Sequence, residues 1–297
     1  MRKFIPFSYG TLENASEPEP RAPTPDVVAP GKPEVLYQEI QIQRTPQFSV
    51  AGTVFAQDLK YKLLSELRVS PFNEDGRRQV DQIIQRAVLI EADDMSRAMF
   101  TKSLKELEGW QFSATLNRRG EVIGWHSGPK DGRETVEVKP EGMEGFLVTS
   151  VMDEDGWKEL TQLSFFVPDP KTDGQKPWTR QMTHDYGPLG SWYGLTHFRR
   201  NETAKGLTRY SYEHELTYQP PEEGIEGLPF TITDARFLPE VAEGYLDFSE
   251  TAQRVESAHE TFVLKGQLAT EILGQRATID TVEQQTMILR LSDEKTW

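Results

Sequence analysis

LEGWQFSATLNRRGEVIGWHSGP, Leu107 to Pro129, is the stretch that decides the fold class. Trp110, Phe112, Ala114 and Leu116 alternate with Gln111, Ser113, Thr115 and Asn117. A period of two gives a strand one apolar and one polar face. Asn117, Arg118, Arg119 and Gly120 then form a short reversal, because Asn initiates turns and Gly accepts the positive φ that such a loop needs. The return strand runs from Glu121 to His126, and Pro129 ends it by withholding a ladder donor. The Trp, Arg, Glu and His of this stretch are therefore hairpin grammar first.

Working back from the hairpin, Asp93 or Asp94 caps a helix near 93–108 carrying Met95, Met99, Phe100, Leu104 and Leu107, which Gly109 closes. Gln79 to Ile90 reads as a long strand into that helix. Further upstream, Tyr37, Glu39 and Gln41 alternate with Gln38, Ile40 and Ile42, and a second run extends from Leu59 to Val69. Pro71 to Gly76 is a turn. Working forward, Phe146 to Val151 reads as a strand. Trp157, Leu160, Leu163 and Phe166 fit a short amphipathic helix stopped by Pro168 and Pro170. A second β-rich half starts at Trp178 and closes with Phe262 to Leu268 and Arg276 to Leu291 as paired strands. Phe248-Ser249-Glu250-Thr251 echoes Phe112-Ser113-Ala114-Thr115, which suggests duplication.

The fold class expected is α+β and β-rich: two similar lobes of antiparallel, curved, half-barrel-like sheet, each with one short helix. The boundaries are a Pro-rich tail over 1–34, a first lobe over 35–170 and a second over 171–297. Six prolines between Pro18 and Pro33, among acidic and small residues, keep the tail extended and unable to bury apolar surface. Ahead of them Phe4, Ile5, Phe7 and Tyr9 form an apolar peptide suited to docking on a protein partner.

Composition removes several chemistries. With 33 basic and 47 acidic residues the formal charge is −14, which disfavours nucleic acid and anionic membrane as partners. With no cysteine there is no disulfide, thiolate nucleophile or Cys-based metal site. No stretch reaches the roughly 20 apolar residues that a membrane-spanning helix needs. Phe4-Ile5-Pro6-Phe7 is too short for the apolar part of a signal peptide, so a cytoplasmic location is expected if Met1 is the start. Oligomer formation is left open.

The five histidines are His126, His184, His197, His214 and His259. HETFV at His259 starts like a zinc-protease helix but places Val263 where the second ligand belongs. In YEHE, strand geometry turns Glu213 and Glu215 away from His214, which shares a face with Tyr210, Tyr212, Leu216 and Tyr218. Adjacent strand residues diverge in the same way, so His184 and Asp185 do not form the base–orienter pair of a serine hydrolase with Ser191. No metal or cofactor is expected. A hydrolase using His184 and Asp185, or the carboxylates near His214, is the competing reading; a purely structural subunit is a third.

The aromatic strand residues carry the leading reading. Trp110, Phe112, Trp125, Trp178, Trp192, Tyr210, Tyr212 and Tyr218 are expected on one curved face, where each ring buries about 150 to 250 Å². At about 25 cal/mol per Å² that is several kcal/mol per ring, gained against the core or against an apolar ligand. The expectation is a non-enzymatic binding or scaffold protein, with ionisable groups scattered outside the aromatic face.

The order of elements also resembles a known family. A helix followed by LEGWQFSATLNRRGEV, a short helix ending in FFVPD, the KPWTRQ strand entry and the closing GYLDF and ILGQRATID strands are similar to uncharacterised bacterial β-rich proteins over roughly residues 36–292. The resemblance implies an exported or lipid-anchored protein, periplasmic or extracellular, whose halves look like the open β half-barrels of periplasmic lipoprotein carriers. The chain departs from that pattern in showing neither a signal peptide nor a lipid-anchor cysteine.

Overall fold

The computed structural model describes residues 32–50, 52–129, 151–152, 154–169, 176–185, 190–220, 231–272 and 275–297. The docking peptide with Phe4, Ile5, Phe7 and Tyr9, most of the Pro-rich tail and the strand expected over 146–150 lie outside them. Every element belongs to the second of two compact units, Lys32–Trp297.

The alternating stretches become strands β1 (Glu34–Val50), β2 (Thr53–Ala56), β3 (Leu59–Val69) and β4 (Arg78–Ala92). Helix α1 (Asp94–Leu107) follows, then the hairpin β5 (Trp110–Leu116) and β6 (Val122–Pro129). After α2 (Glu154–Ser164) come β7 (Trp178–Asp185), β8 (Ser191–Ala204), β9 (Leu207–Gln219), β10 (Thr231–Ser249), β11 (Arg254–Ile272) and β12 (Gln275–Ser292). The local signals hold. Asp93 Oδ1 accepts from Ser96 N at 2.9 Å, capping α1 as a side-chain oxygen at a helix start should. Gly109 closes the helix with φ +87°, and Asn117 and Gly120, the latter at φ +75°, make the hairpin turn.

All twelve strands belong to one antiparallel sheet in the order β6-β5-β4-β3-β1-β12-β11-β10-β9-β8-β7, with β2 paired on β1. The two expected lobes are thus two arms of a continuous sheet, joined where β1 pairs β12 from Tyr37↔Ser292 to Val50↔Ile279. Among the described residues both helices precede residue 170, whereas one helix is expected in each lobe. The reason is packing: α2 serves both arms. It touches β11, the second strand of the C-terminal arm, and both edge strands, β6 and β7. In a flat sheet those edges would lie roughly 48 Å apart at about 4.8 Å per strand step, so the sheet is bent round the helix.

The inner face carries Leu36, Ile40 and Ile42 of β1, Leu63 and Leu67 of β3, Val80 and Ile84 of β4, and Leu246, Leu289 and Leu291 of the other arm, all buried. Three polar side chains, Gln38, Ser65 and Gln82, are buried among them. Gln38, 1% exposed, donates to Ser164 Oγ at 2.8 Å. Gln82 Nε2 donates to Gln38 Oε1 at 2.9 Å and to Ser65 Oγ at 3.1 Å. Ser164 Oγ donates to Leu160 O at 2.7 Å. Each buried dipole is matched, which is the condition for tolerating polar groups in a core. Farther along the same face, past the Arg44–Glu283 ion pair, a smaller apolar cluster forms around Ala235, Leu268 and Ile279.

Candidate functional site

The eight aromatic residues singled out from the sequence fall into three groups. Phe112 is buried on the N-terminal arm, 5.5 Å from Trp125 and 4.4 Å from Trp157 of α2, by ring centroids. Trp110 is half-buried and packs against the same core. On the C-terminal arm Trp178 and Tyr210 meet at 5.7 Å, and Tyr212 lies 5.6 Å from Phe198. Trp192 and the half-buried Tyr218 form a third group at 5.2 Å, which Phe237 joins at 4.8 Å from Tyr218.

What lies between the first two groups is a segment of the chain itself. Phe166, just past α2, has its ring 6.2 Å from Trp178, 5.1 Å from Phe198, 5.5 Å from Tyr210 and 6.4 Å from Phe248. Offset and edge contacts at such distances are the favoured geometries of aromatic pairs. The trough between the arms is therefore filled by Trp157, Phe165 and Phe166. At the segment's exit, Arg180 of β7 donates to Val167 O and stacks 4.9 Å above Phe166. The β5–β6 turn closes from the other side: a Cβ on Gly120 would stand 2.2 Å from Phe165 O.

The ionisable groups are not all scattered outside, and this corrects the sequence-based expectation. Beside the aromatic set His184 Nδ1 contacts Glu159 Oε1 of α2 at 2.8 Å. His214 Nδ1 contacts Thr196 Oγ1 at 2.8 Å, and its Nε2 lies 3.5 Å from Glu260 Oε2. Tyr212 OH donates to the same Glu260 oxygen at 3.0 Å. These side chains share a face because β7, β8, β9 and β11 each contribute an inward position, and α2 adds Glu159 from above.

The electrostatics differ between the two carboxylates. Burial raises the Glu159 pKa, only partly offset by the His184 contact, and the charge of Glu260 adds to the rise. Burial works the same way on Glu260, but the contact and charge of His214 and the Tyr212 hydroxyl outweigh it, so its pKa is lowered. Burial and the Glu260 charge push the Tyr212 phenol well up.

For the hydrolase reading, His184 turns to Glu159, and the side chain of Asp185 lies outside the described residues. Glu213 and Glu215 are exposed on the opposite face from His214, as strand parity requires. Glu215 instead meets the exposed His197 at 3.1 Å. Thr196, His214 and Glu260 do stand in alcohol–imidazole–carboxylate order. Yet Thr196 is 6% exposed and its hydroxyl is also turned to Met182 Sδ at 3.9 Å, which fits an internal bonding network. Among the described residues no group of three or more His, Asp or Glu side chains is arranged to hold a metal ion.

Sequence reasoning missed Glu159 and Glu260, whose partners sit on distant elements. It also missed Arg78, stacked on Phe165 at 4.7 Å, and Arg118 beside it.

No family model matches the chain. No curated protein matches it either. Among solved structures it is similar to a chain described under lipid–protein interactions in lipovitellin, with a TM-score of 0.43 and 11% identity over 91% of this chain and 26% of that one. It is also similar to a DUF1329 family protein from Desulfovibrio piger, with a TM-score of 0.21 and 10% identity over 86% of this chain and 83% of the other. The chain thus spans about a quarter of the lipovitellin chain's length.

Proposed function

We propose that this chain is a binding protein, not a catalyst, and that its ligand is apolar and takes the place that α2 and its Phe165-Phe166 tail fill between the arms of the sheet. One observation carries the reading: the Phe166 ring sits centrally among Trp178, Phe198, Tyr210 and Phe248. A single segment, not strand-on-strand packing, completes that apolar face. Among the described residues its fixings include the separable polar contacts Gln38–Ser164, Glu159–His184, Gln162–Val122 and Arg180–Val167. An apolar chain of similar girth regains the burial that the displaced rings give up. The inward histidines support the same reading, because His184 Nδ1 and both ring nitrogens of His214 are turned to side chains of the packed interior.

The test uses dansyl-undecanoic acid, whose dansyl group takes up emission from Trp157 and Trp178 when it enters the trough. Saturable energy transfer in the wild-type chain, strengthened in Phe166→Ala, is the expected result. If neither protein gives a saturable signal while both remain folded by circular dichroism, the reading is wrong.

A further inference from the structure

Arg78 begins β4 on the face that continues with Val80, Gln82 and Ile84, at the end of the trough where the α2 tail leaves. Its guanidinium lies 4.9 Å from the Phe72 ring and 4.7 Å from the Phe165 ring. Arg118, from the β5–β6 turn, lies over the same Phe72 ring at 5.6 Å. Arg118 is laid across Gly76, where a Cβ would stand 2.6 Å from its Nε. Phe72 is 39% exposed, so the ring that the two cations share is open to solvent.

Two positive groups on one ring call for a counter-charge. Among the described residues neither guanidinium donates a hydrogen bond or meets a carboxylate, and Arg78 Nε is buried without a partner. The carboxylate that acts on Arg78 through space, Glu34, is itself held by Arg254 at 2.8 Å. Burial lowers the Arg78 pKa, as it does for a cation drawn out of water without full compensation. In a chain of formal charge −14 an arginine pair that meets no carboxylate among the described residues is not explained by general solubility. A planar guanidinium stacked on a ring keeps its fork of N–H donors free for the two oxygens of a carboxylate or phosphate.

We propose that Arg78 and Arg118 form an anion site, and that it takes the carboxylate or phosphate headgroup of an amphiphile whose chain enters the trough beside Phe165. The assignment of the chain rests on the function proposed above; the anion site itself does not.

Dansyl-undecanoic acid and its methyl ester are titrated into the wild-type chain, Arg78→Gln and Arg118→Gln. Arg118 is exposed, so its replacement leaves the fold intact, and thermal melts check Arg78→Gln. Each substitution should weaken the acid about ten-fold, the worth of one charge-assisted contact, and leave the ester unchanged. If acid and ester bind alike to all three proteins, the anion site is wrong and the apolar reading stands. If neither probe binds the wild type, the apolar reading falls. The anion site then depends on inorganic phosphate, which must raise the Tm of the wild type but not of the double variant; no such rise overturns it. Competition identifies the source of the anion. Displacement of the acid by dodecyl phosphate but not by inorganic phosphate supports a lipid headgroup, and displacement by both supports a free anion at the same arginines.

Discussion

His184 on β7 and Glu159 on α2 meet Nδ1 to Oε1 at 2.8 Å, and this contact ties the inserted helix to an edge strand of the sheet. Glu159 is also faced by His214 and Glu260. Its folded-state pKa is raised, so the folded chain holds that proton more tightly than the unfolded chain does. The associated stability is complete below the ordinary glutamate range and is lost as pH rises through the raised value. Glu260, with its lowered pKa, acts in the opposite sense: its contribution is present above the ordinary range and is lost as pH falls. Urea unfolding between about pH 3 and pH 7 should show Glu159→Gln removing the decline on the rising side. Glu260→Gln should remove the gain. Identical pH profiles for the three proteins would contradict this account of the cluster.

Ser164→Ala leaves the Gln38 amide, 1% exposed, without its acceptor. An unmatched buried donor costs about 1 to 3 kcal/mol, and denaturant titration should give a loss in that range. Thr101→Ala, which removes an exposed hydroxyl bonded within α1, should change stability much less.

Gly120→Ala tests how the hairpin closes on the α2 tail. At φ +75° any side chain costs about 1 to 2 kcal/mol, and here the added methyl also meets the Phe165 carbonyl at 2.2 Å. The expected loss therefore exceeds the conformational cost alone. Gly52→Ala, at φ +83° with open space around it, reports that cost separately.

Phe166→Ala should destabilise the chain by about 3 to 5 kcal/mol, as expected for emptying a core ring site. The same variant should bind dansyl-undecanoic acid more tightly than the wild type, because the ligand no longer has to expel a ring. Unfolding and binding titrations on one preparation separate the two effects.

Much of this fold is written locally. Trp110 to Leu116 alternates, Asn117 and Gly120 turn, Asp93 caps and Gly109 stops; each step needs only its neighbours, and each is observed. Strand parity also placed His214 with Tyr210 and Tyr212 and turned Glu213 and Glu215 away. Less legible was anything decided by pairing across the chain. Gln38 looks like an ordinary polar strand residue until Ser164 and Gln82 stand beside it. Glu159 looks like a solvated helix position until the bending of the sheet brings His184 to it. Parity collected the rings on one face, but that α2 and Phe166 would lie between the arms follows from sheet curvature, which no local period encodes.

The join between the arms has a consequence for how the chain reaches this state. Arg44 and Glu283, bonded across β1 and β12, are separated by 239 residues, so the central seam cannot zip until nearly every other strand has been synthesised. Loop closure of that span slows folding, and until it happens β1 offers a bare hydrogen-bonding edge to any neighbouring molecule. Slow, concentration-sensitive refolding, relieved by a chaperone that shields nascent β1, is the behaviour such wiring imposes.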